Sequence, residues 1–165
     1  MYIRKTTVDD LPYLMDIFMD ARRYMAANGN PHQWVNRPAE ADILQDISSG
    51  HSYVCVEEET VVGTFAYIPG PDPTYAVIYD GAWPDNAPYG VIHRLAGSEG
   101  ARGVFSAAIR WAFDLCDTIR IDTHADNHIM QSLLKKYGFS YCGVILLSDG
   151  SPRLAYHKRQ QGKQS

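Results

Sequence analysis

The stretch from Val91 to Phe139 confines this chain more tightly than any other part of it, because it reads as strand, glycine-bearing turn, helix, strand and short helix. Val91 to Ala96 has strand character, and Gly97-Ser98-Glu99-Gly100-Ala101-Arg102-Gly103 carries too much glycine for a regular element. Apolar positions return at helical spacing from Val104 through Cys116. Such a turn leaves backbone amides free ahead of a helix, and the helix's positive end adds about 0.3 to 2 kcal/mol toward an anion. A pyrophosphate fits there; a plain connecting loop is the other reading. Gly-x-Gly-x-x-Gly is absent, and no Gly-Lys-Ser or Gly-Lys-Thr ends the loop, so neither hydride transfer from a dinucleotide nor nucleoside-triphosphate hydrolysis finds support.

Downstream, Ile119-Arg120-Ile121-Asp122-Thr123-His124 reads as a strand, and Asn127 opens an amphipathic helix that closes on Gly138-Phe139. This run resembles the second half of the GNAT acyltransferase superfamily. With Ile92-His93-Arg94-Leu95-Ala96, it resembles a bacterial subgroup known simply as GNAT family acetyltransferases, over nearly the whole chain. The resemblance implies a mixed α/β fold in layers, with a splayed, mostly antiparallel central sheet flanked by helices. It implies acetyl-coenzyme A as co-substrate, lying between Val91–Ala96 and Ile119–His124. The pantetheine arm and acetyl carbonyl would face Leu95 and Ala96. The pyrophosphate would meet Gly97, Gly100, Ala101, Arg102, Gly103, Val104 and Phe105, and Asn127 would meet a polar atom of the arm. A homodimer is implied by family habit only.

Two positions depart from the family pattern. The family's loop runs Gln or Arg, two free positions, Gly, one free position, then Gly or Ala; these fall on Gly100, Gly103 and Phe105, and only Gly103 agrees. Phe105 either crowds the phosphates or turns into the core and leaves its amide available. Many members carry a Tyr on the short helix to protonate the leaving thiolate, and Leu134 stands there.

A chain of 165 residues suits one domain that buries about 70% of its unfolded surface. Residues 1–158 are expected to form it, with 159–165 a polar, frayed tail. The apolar runs are too short to cross a membrane. Met1-Tyr2-Ile3-Arg4-Lys5 has no apolar signal core, so the cytoplasm is the expected location. Cys55, Cys116 and Cys142 are isolated in apolar surroundings, which suits a reducing compartment rather than nucleophilic catalysis. His124 and His128 have ligand-like spacing, but the intervening Asp126 and Asn127 suit a helix cap better, and no metal is assigned. A formal charge of −4 disfavours nucleic acid and mildly favours a cationic amine. Arg102, Lys135 or Lys136 would face the anionic co-substrate.

Tyr2 to Lys5 reads as an edge strand. Thr7 and Asp10 resemble a capping box before a helix carrying Leu11, Leu14, Met15, Phe18 and Met25, and Gly29 stops it. Ala39 to Ile47 offers a second helix. Ser52–Glu57 and Thr60–Ile68 read as a hairpin, Thr74–Tyr79 as a further strand, and Tyr141–Leu147 with Arg153–Lys158 as a closing pair. The loop from Asp80 to Tyr89 is the expected substrate wall. Trp34, Asp80 and Trp83 are the candidates for holding an acceptor, a Trp capping one end of the core being the alternative.

For the chemistry, His93 and His124 are candidates to take the amine's proton, since both sit on the flanking strands and titrate near neutrality. Tyr89 is a candidate donor to the thiolate in place of the missing helix Tyr. Losing the proton at pH 7 costs a lysine-type amine about 4 to 5 kcal/mol and an α-amine about 1. The expectation is an N-acetyltransferase acting on a primary amine of a small molecule or peptide. A non-catalytic acyl-CoA-binding module is the alternative, because it would tolerate Phe105 and Leu134, and a protein-interaction domain using only the scaffold is a third.

Overall fold

The computed structural model describes residues 1–161. The chain runs β1 (Tyr2–Lys5), α1 (Leu11–Ala27), α2 (Glu40–Ser48), β2 (Ser52–Glu57), β3 (Thr60–Pro69), β4 (Gly90–Gly97), α3 (Val104–Phe113), β5 (Thr118–Thr123), α4 (His128–Lys136), β6 (Ser140–Leu146) and β7 (Pro152–Arg159). The strands form one sheet in the order β1-β2-β3-β4-β5-β7-β6. All neighbours are antiparallel except β4 and β5. The expected mixed α/β layering with a mostly antiparallel sheet is therefore what the chain adopts.

Strand alternation assigns the two faces. Val54 and Val56 turn toward α1 and α2, where Leu11, Leu14, Ile17, Phe18 and Ile43 bury themselves. Cys55, Phe65, Ile92, Ile119 and Ile121 turn the other way, against α3 and α4. At the entry to α1, Asp10 accepts from the Thr7 amide at 2.8 Å and from both terminal nitrogens of Arg4 at 2.8 and 2.9 Å. The Arg4 bond works against the cost of burial, and the Asp10 carboxyl is held down at about 2.

Two expectations need correction. Residues 74–79 do not form a strand: Asp72 accepts from the Thr74 amide and hydroxyl at 2.8 and 2.7 Å, which starts a single 3-10 turn at Pro73–Tyr75. Only Tyr79 pairs with the sheet, opposite Val144. The segment packs down, so that Tyr75, Ile78, Trp83 and Tyr89 cover Val91, Ile145 and Ala155. Arg120 pins it there, its guanidinium 4.0 and 4.1 Å from the ring centres of Trp83 and Tyr89. The C-terminal boundary also moves, because Arg159 pairs with Thr118 and the Gln160 amide donates to the Asp117 carbonyl at 2.9 Å. Residues 162–165 of the expected tail lie outside the described residues.

Candidate active site

β4 and β5 pair only at Gly90 with Ile119 and Val91 with Arg120, then part. Beyond that point the edge of β4 facing β5 has no strand partner among the described residues. On its other edge β4 carries a bulge: Thr64 faces Ala96 and Ala66 faces His93, so the extra residue falls at Arg94 and Leu95. Arg94 takes a left-handed conformation, φ 52°. Its guanidinium meets the Asp46 carboxylate at 2.7 and 2.8 Å.

Two cavities open on this gap. The first, about 820 Å³, is lined by the loop from Gly97 to Gly103, the start of α3, the start of α4 and the side of α1 that carries Asp20, Arg23 and Tyr24. The second, about 580 Å³, is lined by the segment around Trp34, by His93 and Asp122, and by Arg153. Met25, Leu95, Phe105, Asn127 and Met130 line both, so the cavities meet there.

In the first cavity, α3 begins at Gly103, whose φ of 82° is left-handed. Among the described residues, no acceptor takes the amides of Arg102, Gly103, Val104 and Phe105; the first helical amide with a partner is that of Ala107, on the Gly103 carbonyl at 3.0 Å. Gly63 on β3 lets α3 approach this closely, since a Cβ there would stand 2.6 Å from a Val104 methyl. Phe105 is 8% exposed and packs with the core under α3, yet it stands at the wall of both cavities, its ring centre 5.2 Å from that of Tyr137, which also lines the first. Its amide stays with the open group. Leu134 is fully buried and lines neither cavity.

Asn30, 3% exposed, lines this cavity, and its Oδ1 is a buried polar side-chain atom without a partner among the described residues. Its Nδ2 donates to Gln33 Oε1 at 2.9 Å, and Asn127 Nδ2 donates to the same oxygen at 2.9 Å. Asn127 Oδ1 in turn accepts from the Met130 amide at 3.0 Å. The open amides, two arginines (Arg23 and Arg102) and one orphaned carbonyl oxygen suit an anionic diphosphate with an amide-bearing arm. Lys135 and Lys136 do not line the cavity.

In the second cavity, His93 stands between two carboxylates. Its Nε2 lies 3.1 Å from Asp72 Oδ2 and its Nδ1 3.9 Å from Asp122 Oδ2. The Tyr75 hydroxyl donates to the same Asp122 oxygen at 2.6 Å, and burial raises the Tyr75 hydroxyl well above its ordinary value. Burial also works against ionised Asp72, but hydrogen bonds from His93 and Thr74 outweigh it and hold its carboxyl at about 2. Among the described residues, no three His, Cys, Asp or Glu side chains are grouped so as to hold a metal ion. Burial pushes the Cys55 thiol up to about 11, far from a reactive thiolate.

The other sequence candidates divide. Trp34 lines the second cavity and packs edge-on against Phe18 at 5.6 Å. His124, Tyr89, Asp80 and Trp83 line neither cavity. His124 lies just past β5, where its Nδ1 accepts from the Asp126 amide at 3.0 Å. Burial and then nearby Arg153 lower its pKa. The Tyr89 hydroxyl accepts from the Asp72 amide at 2.8 Å, and Trp83 Nε1 donates to the Tyr75 carbonyl at 2.8 Å. The loop from Asp80 to Tyr89 therefore closes the core rather than walling the site. Asp72, Tyr75, Gln33 and Arg153 were not legible as site residues; Asp72 reads in the sequence only as a turn between prolines.

Comparison with known proteins agrees with this arrangement. A GNAT family acetyltransferase from Streptococcus agalactiae is 32% identical, with a TM-score of 0.87 over 98% of this chain and 96% of that one. At lower identity the fold alone is shared. A candidate acetyltransferase from Staphylococcus aureus is 24% identical, with a TM-score of 0.71 over 96% of this chain and 99% of that one. A ribosomal-protein-alanine N-acetyltransferase from Brucella melitensis is 21% identical, with a TM-score of 0.62 over 97% and 100%. No curated protein matches the sequence significantly. The Acetyltransferase (GNAT) family matches residues 11–139, and with the parted strands and the open loop this chain belongs to that family.

Proposed function

We propose that this protein moves acetyl from acetyl-coenzyme A directly to a primary amine of a small molecule or peptide. The observation that carries the reading is the parting of β4 from β5 after Val91, which joins a cavity edged by unpaired amides to a cavity holding His93. Acetyl-coenzyme A supplies an acetyl group activated as a thioester. In the first cavity the amides of residues 102–105, with Arg23 and Arg102, hold the diphosphate, and Asn30 Oδ1 accepts an N–H of the arm. The free backbone edge at Leu95 and Ala96 aligns the arm, and an amide there faces the acetyl oxygen. One such preorganised donor contributes about 3 to 4 kcal/mol.

In the second cavity the His93–Asp72 pair takes the proton the amine gives up, and Asp122 faces the positive imidazole that results. The amine's lone pair forms the new C–N bond while negative charge builds on the acetyl oxygen, and as that charge returns the C–S bond breaks with its electron pair leaving on sulfur. A thiol of ordinary pKa, about 8.5, leaves as thiolate near neutral pH without a dedicated proton donor, which accommodates Leu134. Holding amine and thioester together supplies up to about 7 to 11 kcal/mol.

The test is release of free thiol when the protein meets acetyl-coenzyme A and a mixture of amines, run beside a melting curve. Acetyl-coenzyme A at about 100 times its dissociation constant adds about 2.7 kcal/mol of stability if it binds only the folded chain. Leu134 favours one other reading, a non-catalytic acyl-CoA-binding module. Stabilisation without thiol release across a broad amine panel selects that module, and no stabilisation at all removes both readings.

A further inference from the structure

The second cavity contains a buried cation without a carboxylate partner. Arg153 is 8% exposed, and its guanidinium donates only to backbone, to the Pro152 carbonyl at 2.8 Å and the Gln33 carbonyl at 3.3 Å. No carboxylate of the described residues lies within the 4.0 Å that defines an ion pair. Its electrostatic neighbours Asp122 and Asp149 line the same cavity beyond ion-pair distance, Asp122 accepting from the Tyr75 hydroxyl and Asp149 from the Ser151 amide. Arg94, in the same cavity, shows the contrast, since Asp46 occupies its fork at two points. A guanidinium has five N–H groups, so Arg153 keeps unused donors on the cavity wall.

Position relates this cation to the proton-accepting cluster. Asp122 pairs with Ala155 and Thr123 with Leu154. Side chains alternate along a strand, so Arg153 and Ala155 share the face of β7 that matches Asp122 on β5. Diagonal neighbours of this kind stand roughly 7 to 8 Å apart. One side of the cavity thus presents Asp72, Asp122 and His93, and the adjacent part of the same face presents Arg153. Arg153 is absent from the lining of the first cavity, so the diphosphate is not its counterpart.

We infer that the acceptor is a free amino acid, its ammonium end directed to Asp122, Asp72 and His93 and its carboxylate gripped by Arg153. The inference rests on the acetyltransferase reading of the same site. A planar fork is suited to a carboxylate, to which it gives two parallel hydrogen bonds.

The experiment measures thiol release with acetyl-coenzyme A for a panel of amino acids, each beside its carboxamide and its decarboxylated amine. It uses the intact chain, Arg153→Gln and Arg153→Lys, with melting curves taken with and without each amine. The expected result is a preference for the acid of about 10- to 150-fold in kcat/KM, the range for hydrogen bonds to a charged group. Arg153→Gln should erase that preference by raising KM for the acid while leaving KM for the carboxamide in place, and Arg153→Lys should keep part of it. If no amine reacts but an amino acid raises the melting temperature of the intact chain and not of Arg153→Gln, the carboxylate site stands and the transfer reading falls. Neutral amines that react as well as the acids overturn the inference and leave the transfer reading intact. Peptides preferred over free amino acids do the same. A panel in which no amine reacts and no acid protects overturns both.

Discussion

Arg94 holds Asp46 by two parallel contacts of 2.7 and 2.8 Å while its own backbone stays left-handed at φ 52°. The pair ties α2 to the bulge of β4, where the strand turns from β3 toward the gap. A left-handed non-glycine residue costs about 1 to 2 kcal/mol, and the ion pair offsets that strain. Removing one member of a fully buried pair costs about 3 to 5 kcal/mol. The Arg94 side chain is 28% exposed, so solvent screens part of that. Asp46→Ala is expected to lose about 1 to 2 kcal/mol, a fall in Tm of roughly 2 to 8 °C for a chain of this size, and to lower kcat with little change in KM for acetyl-coenzyme A. Calorimetry beside steady-state rates checks it.

Gly63→Ala tests how α3 reaches the co-substrate. The added Cβ would meet Val104 methyls at 2.6 and 2.8 Å and the Ala96 carbonyl at 3.2 Å, so the start of α3 must shift. Overpacking of this sort costs about 1 to 3 kcal/mol. The shift also displaces the open amides, and KM for acetyl-coenzyme A should rise by about tenfold. Gly138→Ala, at the end of α4, is the comparison. Its φ of 83° makes a side chain strained, but a Cβ there meets only the flexible Lys158 chain at 3.5 Å. It should cost about 1 kcal/mol and leave KM alone.

The acid limit of stability reports on Asp72. Its carboxyl sits at about 2 in the fold against an ordinary 3.8, because the His93 and Thr74 hydrogen bonds outweigh burial. A carboxyl depressed by folding stabilises the fold fully above its unfolded value and loses that contribution as pH falls through the folded value. The Tm gap between the intact chain and Asp72→Asn should therefore close as pH falls from about 4 to about 2. A gap that stays constant down to pH 2 would show that the carboxylate form is not what His93 holds.

The two histidines should separate. His93 faces the second cavity, and His93→Gln should lower kcat by about 10² to 10⁴, the range for a proton-transfer residue. His124 is spent on the Asp126 amide outside both cavities, and His124→Gln should leave the rate within about threefold. Equal losses at both positions would return the proton to an undetermined acceptor.

Local rules carried the reading of the order of elements. The glycine turn before Val104 and the Asn127 cap before α4 depend on neighbours within a few residues, and the hairpin from Ser52 to Pro69 follows from alternation. Where long-range packing decides, the sequence reading failed. Residues 74–79 have strand composition, yet prolines at 71 and 73 and the Asp72 side chain turn the chain so that Tyr75 can reach Asp122, 47 residues on. The same packing draws Trp83 and Tyr89 onto Arg120 and away from both cavities. Arg153 looked like one more polar residue of a closing strand, because neither its burial nor its missing carboxylate partner is written in the residues beside it.

Phe105 carries the departure that bears most on how the co-substrate fits, and the fold places it at the wall where the two cavities meet. The ring packs beside Tyr137, itself on the wall of the first cavity, while the amide belongs to the unpaired group at the start of α3. If the backbone does the binding, the side chain matters chiefly to stability. Phe105→Ala restores a residue of the size the family usually carries there, and the cavity it leaves should cost about 3 kcal/mol, or roughly 6 to 12 °C in Tm. The loosened core should raise KM for acetyl-coenzyme A by less than about threefold when measured well below the variant's melting range. A tenfold fall in KM would mean instead that the ring had been crowding the phosphates, and the assignment of the loop amides to the diphosphate would then need the ring moved before it held.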